Sequence, residues 1–173
     1  MATETTATAK LVGRHQRVAF MNTAASSEAA SYNRMTGFTQ MSNAKNPKEY
    51  ARQYVDKATE DTDVVGYAPA IEYSFDRHTN TPVHEKIAEI HDGEYVGSDA
   101  LVDIIVVDLF TADESGACVA RKRTYAVIPG NDGDGTDALV YTGSLKSKSE
   151  IEEGTAVISA DGKTATYTAP AAS

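Results

Sequence analysis

The sequence predicts a mainly β fold, an antiparallel β-sandwich or barrel flanked by one α-helix, and three stretches predict it. The first is Leu101 to Phe110, LVDIIVVDLF, the most apolar run in the chain. Its β-branched side chains are stiff at χ1 and suit a pleated sheet. They show no alternation, the pattern of a strand buried on both faces, and ten residues carrying two aspartates are too few and too charged to span a bilayer. The second is Ala70 to Arg77, AIEYSFDR, where Ile71, Tyr73 and Phe75 alternate with Glu72, Ser74 and Asp76 at the period of a half-buried strand. In the third the period changes. Val83, Ile87 and Ile90 recur at spacings of four and three, behind Thr81 as N-cap, Pro82 in the first turn and Glu85 near the start, with Gly93 after the last turn. A helix with one apolar stripe must cover a sheet face or lie against its edge.

Composition bounds the rest. A chain of 173 residues, 41% hydrophobic, is long enough for one domain with a core and too short to expect two. The formal charge of −9 argues against general nucleic-acid affinity, which needs clustered cations to release counterions. Cys118 is the single cysteine, so no intramolecular disulfide can form. MATETTATAK has no apolar segment of the secretory kind. Residues 1–10 read as a flexible arm, since Met1 to Ala9 are small and polar, and 11–173 as a single domain.

In chain order, Leu11 to Asn22 reads as a strand with Val18 and Phe20 alternating, Thr23 to Ser31 as a loop, and Tyr32 to Ser42 as a further strand. Lys45 to Asp61, KNPKEYARQYVDKATED, is ambiguous. Tyr50, Tyr54 and Ala58 recur at four, and propensity leans helical; yet Tyr50, Arg52, Tyr54 and Asp56 would share one face of a strand, and a helix with almost no apolar stripe has little tertiary reason to exist. Thr62 to Tyr67 resumes β-type residues and Pro69 punctuates. After the central run, TADESGA is a polar turn and Cys118 to Pro129 an antiparallel partner strand. GNDGDGTDA is a surface loop. Leu139 to Lys148, Thr155 to Ser159 and Thr164 to Thr168 are short strands, the last two joined by a tight turn at Asp161-Gly162.

Motifs of catalysis are weak. His84-Glu85 begins a zinc-protease pattern, but Ala88 stands where the second histidine belongs. His84 and His91 lie seven apart on one helix face with His78 nearby, without a completing ligand set, and read as surface histidines. Gly133, Gly135, Asp137 and Leu139 fit one copy of a calcium repeat that binds in tandem arrays, so the 130–137 loop reads as a solvated Gly-Asp loop. Arg121-Lys122-Arg123 is the one tight basic cluster; in a strand its middle member faces opposite the outer two, and pairing with carboxylates is expected. No nucleophile elbow and no phosphate-cradling loop is present. No catalytic site, metal or cofactor is expected.

Several separated phrases, in order, carry a resemblance: KNPKEYARQYVDKATEDTDVVGYAPAIEYSFDR, PVHEKIAEIHDGE, ALVDIIVVDLF and YAVIPGNDGDGTDALVYTGSLKSKSE followed by EGTA. Across roughly Arg34 to Tyr167 the chain resembles the major tail tube proteins of long-tailed bacteriophages and prophages. The resemblance implies a tail-tube fold, a β-sandwich with one helix and a long β-hairpin at Lys45 to Val65. It implies hexameric rings stacked around the tape measure protein, ended by tail terminator and tail-tip or baseplate proteins, with genomic double-stranded DNA in transit and no specific DNA binding. The place implied is the virion tail, after assembly in the host cytoplasm, with no membrane. The hairpin residues Lys48, Tyr50, Arg52, Tyr54, Asp56, Lys57, Glu60 and Asp61 would then meet other subunits or the lumen, which explains the missing core stripe. The contrasting expectation is a monomeric β-sandwich binding module whose ligand site is the acidic Gly-Asp loop.

Three expectations follow. The segment Lys45 to Val65 should be extended. Asp103 and Asp108, on opposite faces of the central strand, should each have a partner such as Arg121 or Arg123. The hairpin cations Lys48, Arg52 and Lys57 should pair with Glu49, Asp56, Glu60 or Asp61 in the same or neighbouring subunits, leaving the lumen acidic or neutral.

Overall fold

The computed structural model describes residues 7–133 and 135–172. Their strands are β1 Arg17–Asn22, β2 Tyr32–Arg34, β3 Phe38–Ala44, β4 Pro47–Arg52, β5 Asp61–Tyr67, β6 Ala70–Asp76, β7 Leu101–Asp108, β8 Ala117–Asp132, β9 Val140–Ser147, β10 Glu152–Ile158 and β11 Thr164–Thr168, with one α-helix, α1, at Pro82–Asp92. The fold is mainly β. Nine strands form one antiparallel sheet in the order β10-β11-β2-β1-β7-β8-β9-β6-β3, and β4 and β5 form a separate hairpin.

The sixteen-residue strand β8 organises the sheet. Along one edge it pairs with β7, from Asp108↔Val119 to Leu101↔Ala126. Along the other, its first half takes β10, with Glu152↔Lys122 and Val157↔Ala117, while its second half takes β9, with Tyr125↔Ser147 and Val127↔Leu145. The sheet therefore branches. Through β10, the strands β8, β7, β1, β2, β11 and β10 close on one another as a six-stranded barrel with no free edge on its circuit. Its interior is filled by Phe20, Tyr32, Ile105 and Val107 against the small Ala120, Ala156 and Ala165.

A second core lies on the other face of β1 and β7. Met21, Val102 and Ile104 meet Tyr73, Phe75 and Leu145, under Val83, Ile87 and Ile90 of α1. Successive residues of β7 thus point into different cores: Ile104 beneath the helix, Ile105 inside the barrel. That is why its sequence shows no alternation. β6 has a single buried face, and Ile71, Tyr73 and Phe75 are the residues it buries. α1 starts on Pro82 after Thr81 and ends at Gly93, whose N–H donates to the Glu89 carbonyl at 2.9 Å. The Thr81 hydroxyl does not cap it and bonds the Thr79 carbonyl instead.

Several expected boundaries differ. The Leu11 to Asn22 strand is confined to Arg17–Asn22, because Arg14–Gln16 turn as a 3₁₀ segment closed by the Gln16 N–H on the Gly13 carbonyl. Tyr32 to Ser42 is two strands in different places in the sheet, broken at Gly37, whose φ of +73 suits glycine. The Gly-Asp loop is shortened from its start, since β8 runs past Pro129 to Asp132 across an irregularity in its pairing with β9. Of the expected flexible arm, residues 1–6 lie outside the described residues.

Candidate assembly arm

The ambiguous Lys45 to Asp61 stretch is not a helix. Its residues enter β4, which returns as β5 with Pro47↔Tyr67, Tyr50↔Asp63 and Arg52↔Asp61 in register and a bulge between Lys48 and Glu49. The hairpin continues β3 and β6, which pair up to Ala44↔Ala70. Between the two pairs the direction changes at Asn46, with φ of 45; its carbonyl accepts from the Ala68 N–H at 3.1 Å and its side-chain amide donates to the Ala68 carbonyl at 3.1 Å. The result is a two-stranded arm that leaves the end of the sheet. Every residue of β4 is exposed, as are Thr62 to Val65 and Tyr67 in β5.

Of the eight candidate residues, Lys48, Tyr50 and Arg52 share one face of β4, and Asp61 opens β5 on that same face. Tyr54, Asp56, Lys57 and Glu60 lie in the tip, which turns where the Lys57 N–H donates to the Tyr54 carbonyl at 3.1 Å. Tyr54 and Asp56 therefore do not continue the strand face with Tyr50 and Arg52. The strand ends at Arg52 because Gln53 folds over the tip, its amide reaching the Lys57 and Ala58 carbonyls at 3.4 Å. Among the described residues, one of the three expected ion pairs is formed, Lys57 with Asp61 at 2.6 Å. Arg52 instead donates to the Tyr50 hydroxyl at 3.0 Å. The opposite face of the arm carries Pro47, Ala51, Thr62, Val64 and Tyr67 around Glu49. Val55 is fully exposed at the tip. An isolated two-stranded ribbon is marginal in water, so apolar groups held this far from any core have no stabilising role in the lone chain.

Elsewhere, both aspartates of β7 find partners within the fold. Asp103 and Asp108 lie on opposite faces of β7, as expected. Asp108 is buried between Arg17 (2.6 Å) and Arg121 (2.7 Å), and Arg121 also reaches Glu153 at 3.4 Å. Burial alone would push the Asp108 carboxyl up, but the two guanidinium hydrogen bonds outweigh it and hold it below the usual carboxylate range. Asp103 is half-buried and accepts the Thr124 hydroxyl. Of the basic triplet, Arg121 takes this pairing, Lys122 lies over the Tyr167 ring at 5.8 Å, and Arg123 Nε is buried with no hydrogen-bond partner.

The helix histidines are a correction. His84 and His91 are not on the surface; both are buried beneath α1. His84 stacks on Phe75 at 4.4 Å, and its Nε2 lies 2.7 Å from the Thr36 carbonyl while Nδ1 accepts the His78 N–H at 3.1 Å. This pattern needs one proton, on Nε2. His91 Nε2 is 2.6 Å from the Tyr73 hydroxyl. Burial pushes both imidazoles below their ordinary value. The signal was in the sequence: positions 84, 87, 88 and 91 form one helical stripe, so the histidines share the face of Ile87 and Ala88. Among the described residues no three His, Cys, Asp or Glu side chains are grouped to hold a metal. The 130–137 loop includes Asp134, which lies outside the described residues.

No family model and no curated protein matches the chain. Among solved structures, a chain in the six-fold symmetrised cryo-EM structure of the anti-feeding prophage (AFP) baseplate is similar over 84% of this chain and 97% of that chain, at 8% sequence identity and a TM-score of 0.49.

Proposed function

We propose that the chain is a non-catalytic structural subunit of a phage tail tube, forming hexameric rings that stack into a hollow channel around a tape measure protein and later pass the genome. The observation that carries this reading is the arm of β4 and β5: a ribbon that presents Tyr54, Val55, Val64 and Tyr67 to solvent and whose strands, among the described residues, pair only with each other. Exposed apolar groups on a projecting ribbon mark a surface completed by another chain. The resemblance of its sequence phrases to tail tube proteins supports this kind of assembly. Terminator and tail-tip or baseplate proteins would close its ends, and its place would be the virion tail after assembly in the host cytoplasm. No helix among the described residues is long and apolar enough to cross a membrane.

The test is the mass and shape of the purified full chain across a concentration series, by light scattering coupled to size exclusion and by negative-stain microscopy. Rings or tubes with six-fold end views are expected. A monomer at every concentration would overturn the reading and favour the monomeric binding module.

A further inference from the structure

β3 pairs with β6 on one edge and has no second strand partner among the described residues. Beside it, between β3 and β1, runs a groove of about 670 Å³ that opens toward the helix-covered core. Its floor is apolar: Ala19, Met35, Phe38, Met41, Ile71 and Val106. Arg14, His15, Arg17 and Arg34 also line it, and no carboxylate among the described residues does. In a chain of formal charge −9 an acid-free groove with three arginines is an unusual concentration of cation. Arg17 is engaged by Asp108, whereas neither Arg14 nor Arg34 makes an ion pair among the described residues.

The arm has the complementary chemistry. Its tip presents Tyr54 and Val55, and beside them Asp56, Glu60, Asp61 and Asp63, of which Lys57 engages Asp61 alone. We propose that the groove between β3 and β1 receives the arm tip of a second copy of this chain, with Val55 against Met41 and the tip carboxylates facing Arg14 and Arg34. The inference rests on the tube reading and names the acceptor of its contact. A chain cannot fill its own groove with its own tip. The arm starts from the end of β3, one wall of that groove, and its six-residue strand β4 carries the tip roughly 20 Å onward at the rise of an extended chain. Because donor and acceptor are different surfaces, the contact is heterologous; it propagates from copy to copy as a ring or filament instead of stopping at a two-fold dimer. The apolar floor supplies desolvated area, and the charges fix which end of the arm enters.

The test uses full-length chains carrying Val55→Cys or Met41→Cys, mixed under mild oxidation. Cys118 is buried in the barrel and serves as the unreactive background. A reducible cross-link is expected in the mixture and in neither variant alone. In parallel, Arg14→Glu with Arg34→Glu should raise the concentration needed for assembly by about tenfold or more, and adding Asp56→Lys with Glu60→Lys should restore it. That restoration would be absent if the arginine changes merely harmed folding. Tubes that form without the cross-link, a Leu11→Cys to Met41→Cys link in its place, or no rescue by charge exchange would overturn the proposal while leaving the tube intact. Absence of any assembly by the unaltered chain would overturn the tube reading, and this contact with it.

Discussion

His84 and His91 show how a single residue can be mistaken when its chemistry is weighed before its position. As imidazoles without a ligand set they belong on a surface; as members of the stripe that carries Ile87 they belong in the core, and the core is where they are. Each is held neutral, so acid should loosen the seat of α1. The sign follows from proton uptake: burial puts the folded values below the unfolded value of about 6.5, so the unfolded chain binds protons first as pH falls. Thermal melts should be flat above about pH 7.5 and decline steadily below about pH 6.5. His91→Gln should remove part of that slope, and a melting point that rises on acidification would contradict the account. Asp108 acts in a different window. Its depressed carboxyl contributes stability above its ordinary range near pH 4, and that is lost only in stronger acid. Asp108→Asn keeps the shape and removes the charge shared by Arg17 and Arg121. Both arginines are partly in water, so the loss should be about 2 kcal/mol and not the larger cost of stranding a fully buried ion. Chemical denaturation at neutral pH measures it.

Individual elements were legible where one physical cause set the pattern. β6 alternates because it has one buried face, and β7 does not because it has two. α1 carried its stop signal openly at Gly93. The break between β2 and β3 was not legible, because Met35-Thr36-Gly37 lies inside a run of acceptable strand residues, and its meaning is which sheet partner each half takes. Pairing is a property of distant residues, and a local pattern does not contain it. The same holds for the branching of β8, whose sequence gives no sign that its halves serve different neighbours. The arm was ambiguous because neither of its faces is buried, leaving no periodic signal to choose helix or strand. From that independence comes a prediction. Replacing Lys48 to Gly66 by a two-residue Asn-Gly turn should leave the melting temperature within about 2 °C, since the excised residues contact no core, while assembly is lost. A large drop in melting temperature would show that the arm supports its own subunit.

At the scale of the whole molecule, the distribution of charge matters more than its sum. The chain is acidic overall, yet three of its seven arginines line the groove where β3 faces β1. If the groove is covered by a neighbour's acidic tip, assembly hides cations and leaves carboxylates on what remains exposed. A channel for DNA requires this, because each phosphate held by a lysine or arginine releases counterions, and many weak holds along a tube would add to a strong one. On the arm, Lys57 is already cancelled by Asp61, while Lys48 and Arg52 have no carboxylate partner among the described residues. In a ring of the proposed kind, their neighbours would therefore decide the sign of the wall. Assembled tubes should not retain double-stranded DNA at roughly 0.15 M salt, and residual retention at low salt should fall steeply as salt is added. Reversing carboxylates of the arm separates the two placements: Glu60→Lys with Asp63→Lys should raise the concentration needed for assembly if these residues face Arg14 and Arg34 of a neighbour, whereas assemblies that form at the usual concentration and hold DNA would place them on the channel wall instead. Retention by the unaltered tube that persists in high salt would contradict a passive channel, and would point to a wall that grips DNA by contacts other than charge.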